Sequence, residues 1–151
     1  MTGALEALVE HPASSAPIAG VGVVCHPHPL HGGTMTNKVV HYLARSFREL
    51  GLTTVRFNFR GVGTSEGRYA DALGETDDLD AVTAWALDRW PGAELWLAGF
   101  SFGAYVAIRY AGCSTLASHH SSDSTSEPFA SKRPTISHSF SPHRCLEPKS
   151  I

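Results

Sequence analysis

The sequence predicts an α/β fold over residues 1–112: a parallel sheet with helices on both faces, in three layers (α/β/α). Three observations carry this. A short, apolar, β-branched run at residues 20–25, a run with strand propensity at 53–59 and a third at 94–100 read as strands. Between and after them lie stretches with helical spacing, and glycine or proline marks the junctions. Strand alternating with helix implies right-handed crossovers and hence parallel pairing.

In chain order, Leu5-Glu6-Ala7-Leu8-Val9 offers a short edge strand. Gly20-Val21-Gly22-Val23-Val24-Cys25 has no polar alternation and reads as a strand covered on both faces. After a loop rich in Pro, His and Gly, residues Val39, Val40, Leu43, Ala44, Phe47 and Leu50 follow a helical stripe, with Gly51 as the stop. The next strand, 53–59, leads into a turn-rich segment at 60–67. A helix over about 75–90 follows. Glu75, Asp77, Asp78 and Asp80 suit its positive end, Leu79, Val82 and Ala86 form its apolar face, and Pro91-Gly92 ends it. A third parallel strand at 94–100 runs into a helix expected over 102–111.

Composition changes sharply after this. All 14 glycines precede Cys113, whereas 11 of the 39 residues from 113 to 151 are serine and four are proline. Only six of those 39 are Leu, Ile, Val or Phe, too few to offset the entropy of ordering them. The sequence therefore divides into a partial domain at 1–112 and a Ser/Pro-rich tail at 113–151, expected to be disordered. The abrupt change points to a truncated or frameshifted coding sequence.

The whole chain has 151 residues, is 42% apolar and carries a formal charge of −2, which gives no net pull toward nucleic acid or an anionic membrane surface. Its longest apolar stretch, 18–25, is far short of a bilayer span. Its first residues lack the basic and apolar regions of a secretory signal. Cys25, Cys113 and Cys145 have neither paired nor metal-like spacing, as suits a reducing cytoplasm.

Gly99-Phe100-Ser101-Phe102-Gly103 has the form Gly-x-Ser-x-Gly. The pattern alone arises by chance in roughly 5% of chains this long. Here it falls where a buried strand becomes a helix, and that context gives it meaning. A sharp turn at this place lifts the serine hydroxyl above the sheet edge, in front of a helix N-terminus that favours developing negative charge. The rival reading is a glycine-lined turn holding an incidental serine. A nucleophile so placed needs two N–H donors for the oxyanion, one from Phe102 and one from the loop Cys25-His26-Pro27-His28-Pro29-Leu30-His31. Pro27 and Pro29 have no N–H, so His28 is favoured and Leu30 comes second. His26, His28 and His31 also raise the possibility of a metal site, but no acidic residue stands near them in sequence, and no metal or cofactor is expected.

His26-Pro27-His28-Pro29, Gly32-Gly33-Thr34-Met35, Phe57-Asn58-Phe59-Arg60-Gly61-Val62-Gly63, Ser65, Gly67 and Gly99-Phe100-Ser101-Phe102-Gly103, in this order, resemble the α/β-hydrolase superfamily. Among its branches the residues look like the small bacterial hydrolases without a large lid, akin to serine-aminopeptidase- and dienelactone-hydrolase-like enzymes. The resemblance implies that Ser101 is the nucleophile and that the backbone N–H groups of His28 and Phe102 form the oxyanion hole. It further implies that the 60–67 loop shapes the pocket floor, with Arg60 holding that loop through carbonyl groups rather than touching substrate. The implied reaction is hydrolysis of a carboxylic ester, thioester or amide through an acyl-serine, on a small-molecule acyl substrate. In that family the acid and base follow later strands, and no such strand is legible after residue 112. Asp123, Glu127, His119, His120, His138 and His143 therefore receive no role, and the triad acid and base are unknown. The other class of function is a catalytically inactive fragment or small-molecule binding module. With nothing to pair beyond it, the 94–100 strand is expected to leave an open edge that invites self-association.

Overall fold

The computed structural model describes residues 3–13 and 20–119. Four strands, β1 (Ala7–Glu10), β2 (Gly20–Cys25), β3 (Thr53–Phe57) and β4 (Glu94–Gly99), form one sheet in the order β1-β3-β2-β4. Both β3 and β4 run parallel to β2, with Val23 opposite Val55 on one side and Leu97 on the other. The N-terminal strand adds to the far side of β3 in antiparallel register, Val9 opposite Val55.

Helix α1 (Lys38–Glu49) covers one face of the sheet, while α2 (Leu73–Arg89) and α3 (Phe102–His119) cover the other. The three-layer architecture and the mostly parallel sheet follow the sequence reading. Asn37 begins α1, its side-chain oxygen accepting from the Val39 N–H at 2.9 Å, which satisfies one of the donors a helix start leaves open. Val40 and Ala44 are buried against Val24, with Leu43, Phe47 and Ala98 packed around them. Val39 and Leu50 are exposed instead of joining this stripe; Leu50 lies beyond the last helical turn, as the C-cap. On the opposite face, Val21, Val23, Cys25, Val55, Phe57 and Phe59 meet Leu79, Val82 and Ala86 of α2 and Val106 of α3. Each of the larger side chains fully buried there contributes about 1.5–3 kcal/mol by leaving water.

The C-terminal ends of β3 and α3 are among those that differ from expectation. β3 stops at Phe57, because the Glu6 N–H donates to Ser65 Oγ instead of the Asn58 carbonyl, which accepts from that hydroxyl, and Phe59 donates its N–H to a histidine ring rather than to the ladder. Helix α3 passes the expected end at Ala111 and continues to His119. Glycine costs only about 1 kcal/mol inside a helix, and neither Gly112 nor the residues up to 119 include a proline to stop it. The remainder of the Ser/Pro-rich tail, from residue 120, lies outside the described residues, as do Asp123, Glu127, His120, His138 and His143.

Candidate active site

The chain leaves β2 for β3 on one side, then returns across the sheet to β4 on the other. The crossover direction thus changes between β2 and β4, and in open α/β sheets ligands bind at the C-terminal edge beside such a switch point. Ser101 lies at this edge, exposed, between β4 and α3. Its φ is 55°, a left-handed conformation that costs a residue with a side chain of the order of 1 kcal/mol or more. The strain persists because the turn is wedged against the sheet. A Cβ on Gly103 would collide with the Cys25 carbonyl, and one on Gly99 with the Gly103 backbone. The Phe100 N–H also donates to the Cys25 carbonyl (3.2 Å), tying the turn to the end of β2. Phe102 opens α3, so its N–H has no acceptor within the helix; among the described residues it has none at all.

The loop after β2 is organised by two histidines of different character. His26 is fully buried. Its Nε2 accepts from the Phe59 N–H at 3.0 Å, so the ring proton is on Nδ1, which donates to the Pro27 carbonyl at 2.6 Å. Burial pushes its pKa down to about 4, against the opposing effect of the Pro27 bond. His26 is thus a neutral bridge between the ends of β2 and β3. His28 is half-buried and begins a 3₁₀ turn, Pro29–His31, closed by bonds to its carbonyl from the N–H groups of His31 and Gly33, both 3.0 Å. The Leu30 N–H donates to His28 Nδ1 at 3.2 Å, which removes Leu30 from consideration as an oxyanion donor. The His28 N–H has no acceptor among the described residues. Around it the rings of His31, Tyr69 and Phe102 lie 4.6, 5.1 and 4.8 Å from that of His28.

The third wall is the segment following β3. Asn58 accepts from the Met35 N–H (2.8 Å) and donates to Glu6 (2.7 Å), whose carboxylate also takes the Thr64 N–H (3.0 Å). Desolvation pushes the Glu6 carboxyl up, but these hydrogen bonds outweigh it and hold the group below its usual range. Arg60 is held by Asp78, not by carbonyl groups as expected: its guanidinium makes bonds of 2.7–3.1 Å to both carboxylate oxygens, and its own N–H adds another at 2.9 Å. Asp78 is fully buried, so the pair is a structural clamp on the loop.

Ser101, Phe102 and His28 are therefore brought together at one sheet edge. His26, His28 and His31 do not converge on a shared point. Both ring nitrogens of His26 are engaged, and among the described residues no group of three or more His, Cys, Asp or Glu side chains is placed to hold a metal ion. No side chain among the described residues hydrogen-bonds the Ser101 hydroxyl. Sequence reasoning missed Tyr69, and it assigned Glu75 and Asp78 to the helix dipole. A signal for the latter existed: Glu75, Asp78, Leu79 and Val82 share one helix face, so the acids had to be buried with the leucine and valine.

A parallel sheet with an exposed, strained serine between strand and helix defines the class of α/β hydrolases. Comparison with known proteins agrees. The family model described as serine aminopeptidase, S33, matches residues 28–122. An alpha-beta serine hydrolase homologue from Coxiella burnetii is 54% identical with a TM-score of 0.70, covering 72% of this chain and 52% of its own. An α/β serine hydrolase without lid from Xanthomonas campestris is 48% identical with a TM-score of 0.70, covering 75% of this chain and 55% of its own. An uncharacterized protein of Rickettsia prowazekii is 41% identical over 97 residues, which are 64% of this chain and 41% of that protein. The chain belongs to the S33 serine aminopeptidase family of the α/β-hydrolase superfamily, and it spans about half the length of these relatives.

Proposed function

We propose that this chain carries the nucleophilic part of a serine hydrolase acting on a small-molecule carboxylic ester, thioester or amide. The observation that carries the reading is Ser101 at φ 55°, exposed at the start of α3, with the N–H groups of Phe102 and His28 at the same sheet edge and without acceptors among the described residues. Ser101 Oγ attacks the acyl carbon, its proton passes to a base, and the carbonyl oxygen becomes an oxyanion that the two N–H groups stabilise. Loss of the leaving group gives the acyl-serine, which water then hydrolyses. Metal and cofactor play no part in this scheme. The lack of paired cysteine spacing supports placing the reaction in the cytoplasm, and no helix among the described residues is long and apolar enough to cross a membrane.

The test is labelling with a fluorophosphonate and mapping of the modified residue by mass spectrometry. The label is expected on Ser101 and absent from Ser101→Ala; full labelling of that variant overturns the assignment. A second reading, an inactive acyl-binding module, is favoured by the lack of any base on the Ser101 hydroxyl among the described residues. Hydrolysis of p-nitrophenyl acetate separates the two. A complete site accelerates by about 10⁶-fold or more, whereas an oxyanion hole without its base retains roughly 10³–10⁴-fold over water.

A further inference from the structure

The ring of Tyr69 lies against the rings of both residues assigned as oxyanion donors. Its centroid is 5.1 Å from that of His28 and 5.9 Å from that of Phe102, and its hydroxyl is 3.3 Å from His28 Nε2. The direction of that last hydrogen bond is settled by the other side of the imidazole. The Leu30 N–H points at Nδ1, so Nδ1 must offer a lone pair, and the single hydrogen of the neutral ring is on Nε2. Nε2–H therefore donates to Tyr69 Oη. The phenolic hydrogen is left over, and among the described residues it has no acceptor.

From this juxtaposition we infer that Tyr69 is a further catalytic residue, whose O–H donates to an oxygen of the substrate bound at Ser101. The inference rests on the assignment of Ser101 as nucleophile. The order of donation is Leu30 N–H to His28, His28 Nε2–H to Tyr69, and Tyr69 O–H to the substrate. Each donor polarises the next, so the terminal phenol is a stronger donor than an isolated one. The backbone beneath Tyr69 is held for this purpose. The Ala70 N–H donates to the fully buried carboxylate of Glu75 at 3.0 Å, and Asp71 and Ala72 follow with φ of 50° and 67°, a strained bend that turns the chain into α2. Desolvation, with the nearby Asp71 and Glu75 carboxylates, raises the phenol above its ordinary value, which keeps it protonated and able to donate.

Two measurements on the whole chain test this. In ¹⁵N spectra of the imidazole, His28 is expected as the Nε2–H tautomer; the Nδ1–H tautomer overturns the inference, since Tyr69 must then be donating to the ring. In the second, the rate of fluorophosphonate labelling at Ser101 is compared between the wild type and Tyr69→Phe, which keeps the ring and removes only the hydroxyl. The rate is expected to fall about 10- to 100-fold, the usual effect of losing a donor to developing charge, with Tm unchanged. An equal rate, with the label still mapped to Ser101, overturns the role of Tyr69 and leaves the nucleophile assignment standing. A wild type whose label does not map to Ser101 overturns the nucleophile assignment and the Tyr69 role with it.

Discussion

The two flanks of β2 are built differently. Toward β3, every residue of the strand is buried, β1 closes the edge, and charged pairs lock the periphery: Arg56 with Glu10 at 2.8 Å and Arg60 with Asp78 at 2.7 Å. Toward β4, the strand alternates exposed and half-buried residues, and Trp96, Phe100, Tyr105 and Ile108 are exposed, the last at 73%. The loop after β2 and Tyr69 are fastened to the sealed flank, whereas Ser101 stands on the open one. The contrast shows that positioning groups take their rigidity from burial and hydrogen bonding, while the serine takes its from a backbone wedged between glycines.

The contrast predicts that truncations on the sealed flank cost far more than those on the open flank. Phe57→Ala removes a fully buried ring and is expected to lower the unfolding free energy by about 4 kcal/mol. Asp78→Ala leaves the Arg60 guanidinium without its carboxylate and is expected to cost a similar amount, about 4 kcal/mol, with lost order in the 60–67 loop visible in hydrogen exchange. Urea titration checks both, and a loss below about 1 kcal/mol in either would break the comparison.

The pH dependence of stability sharpens it. The pKa of His26 falls from the ordinary 6.5 to about 4 on folding, so between these values the unfolded chain holds the extra proton. His26 then contributes stability that is fully present above pH 6.5 and is lost as pH falls toward 4, on the order of 3 kcal/mol in all. Flattening of this limb in His26→Gln is the expected control. The smallest effect belongs to the open flank. Trp96→Ala is expected to change stability by about 1 kcal/mol or less. We propose that the β4 edge, unpaired by any other strand among the described residues, supports self-association; sedimentation should show a concentration-dependent species in the wild type that diminishes in Trp96→Lys.

Much of this molecule was legible in its sequence because the relevant forces are local. The β-branched run at 20–25, the helical stripe stopped by Gly51 and the Gly-x-Ser-x-Gly turn each depend on a few adjacent residues, and so does the exclusion of Pro27 and Pro29 as donors. Arg60 shows where that legibility ends: its structural role could be expected, but its partner is 18 residues away on α2, and the acid concerned looked like an ordinary dipole-stabilising residue. Leu30 was an acceptable donor until the side chain of His28 claimed its N–H.

By itself, then, the sequence determined the order of strands and helices and the serine turn between the last strand and the last helix, since period, propensity and turn chemistry act within a few residues. Only the tertiary structure decided that Asp78 pairs with Arg60, that His26 is a neutral bridge, and that Tyr69 lies against the rings of His28 and Phe102. Those outcomes depend on desolvation and on hydrogen bonds between segments up to tens of residues apart. Such partners meet only once the sheet has brought its loops to the same edge.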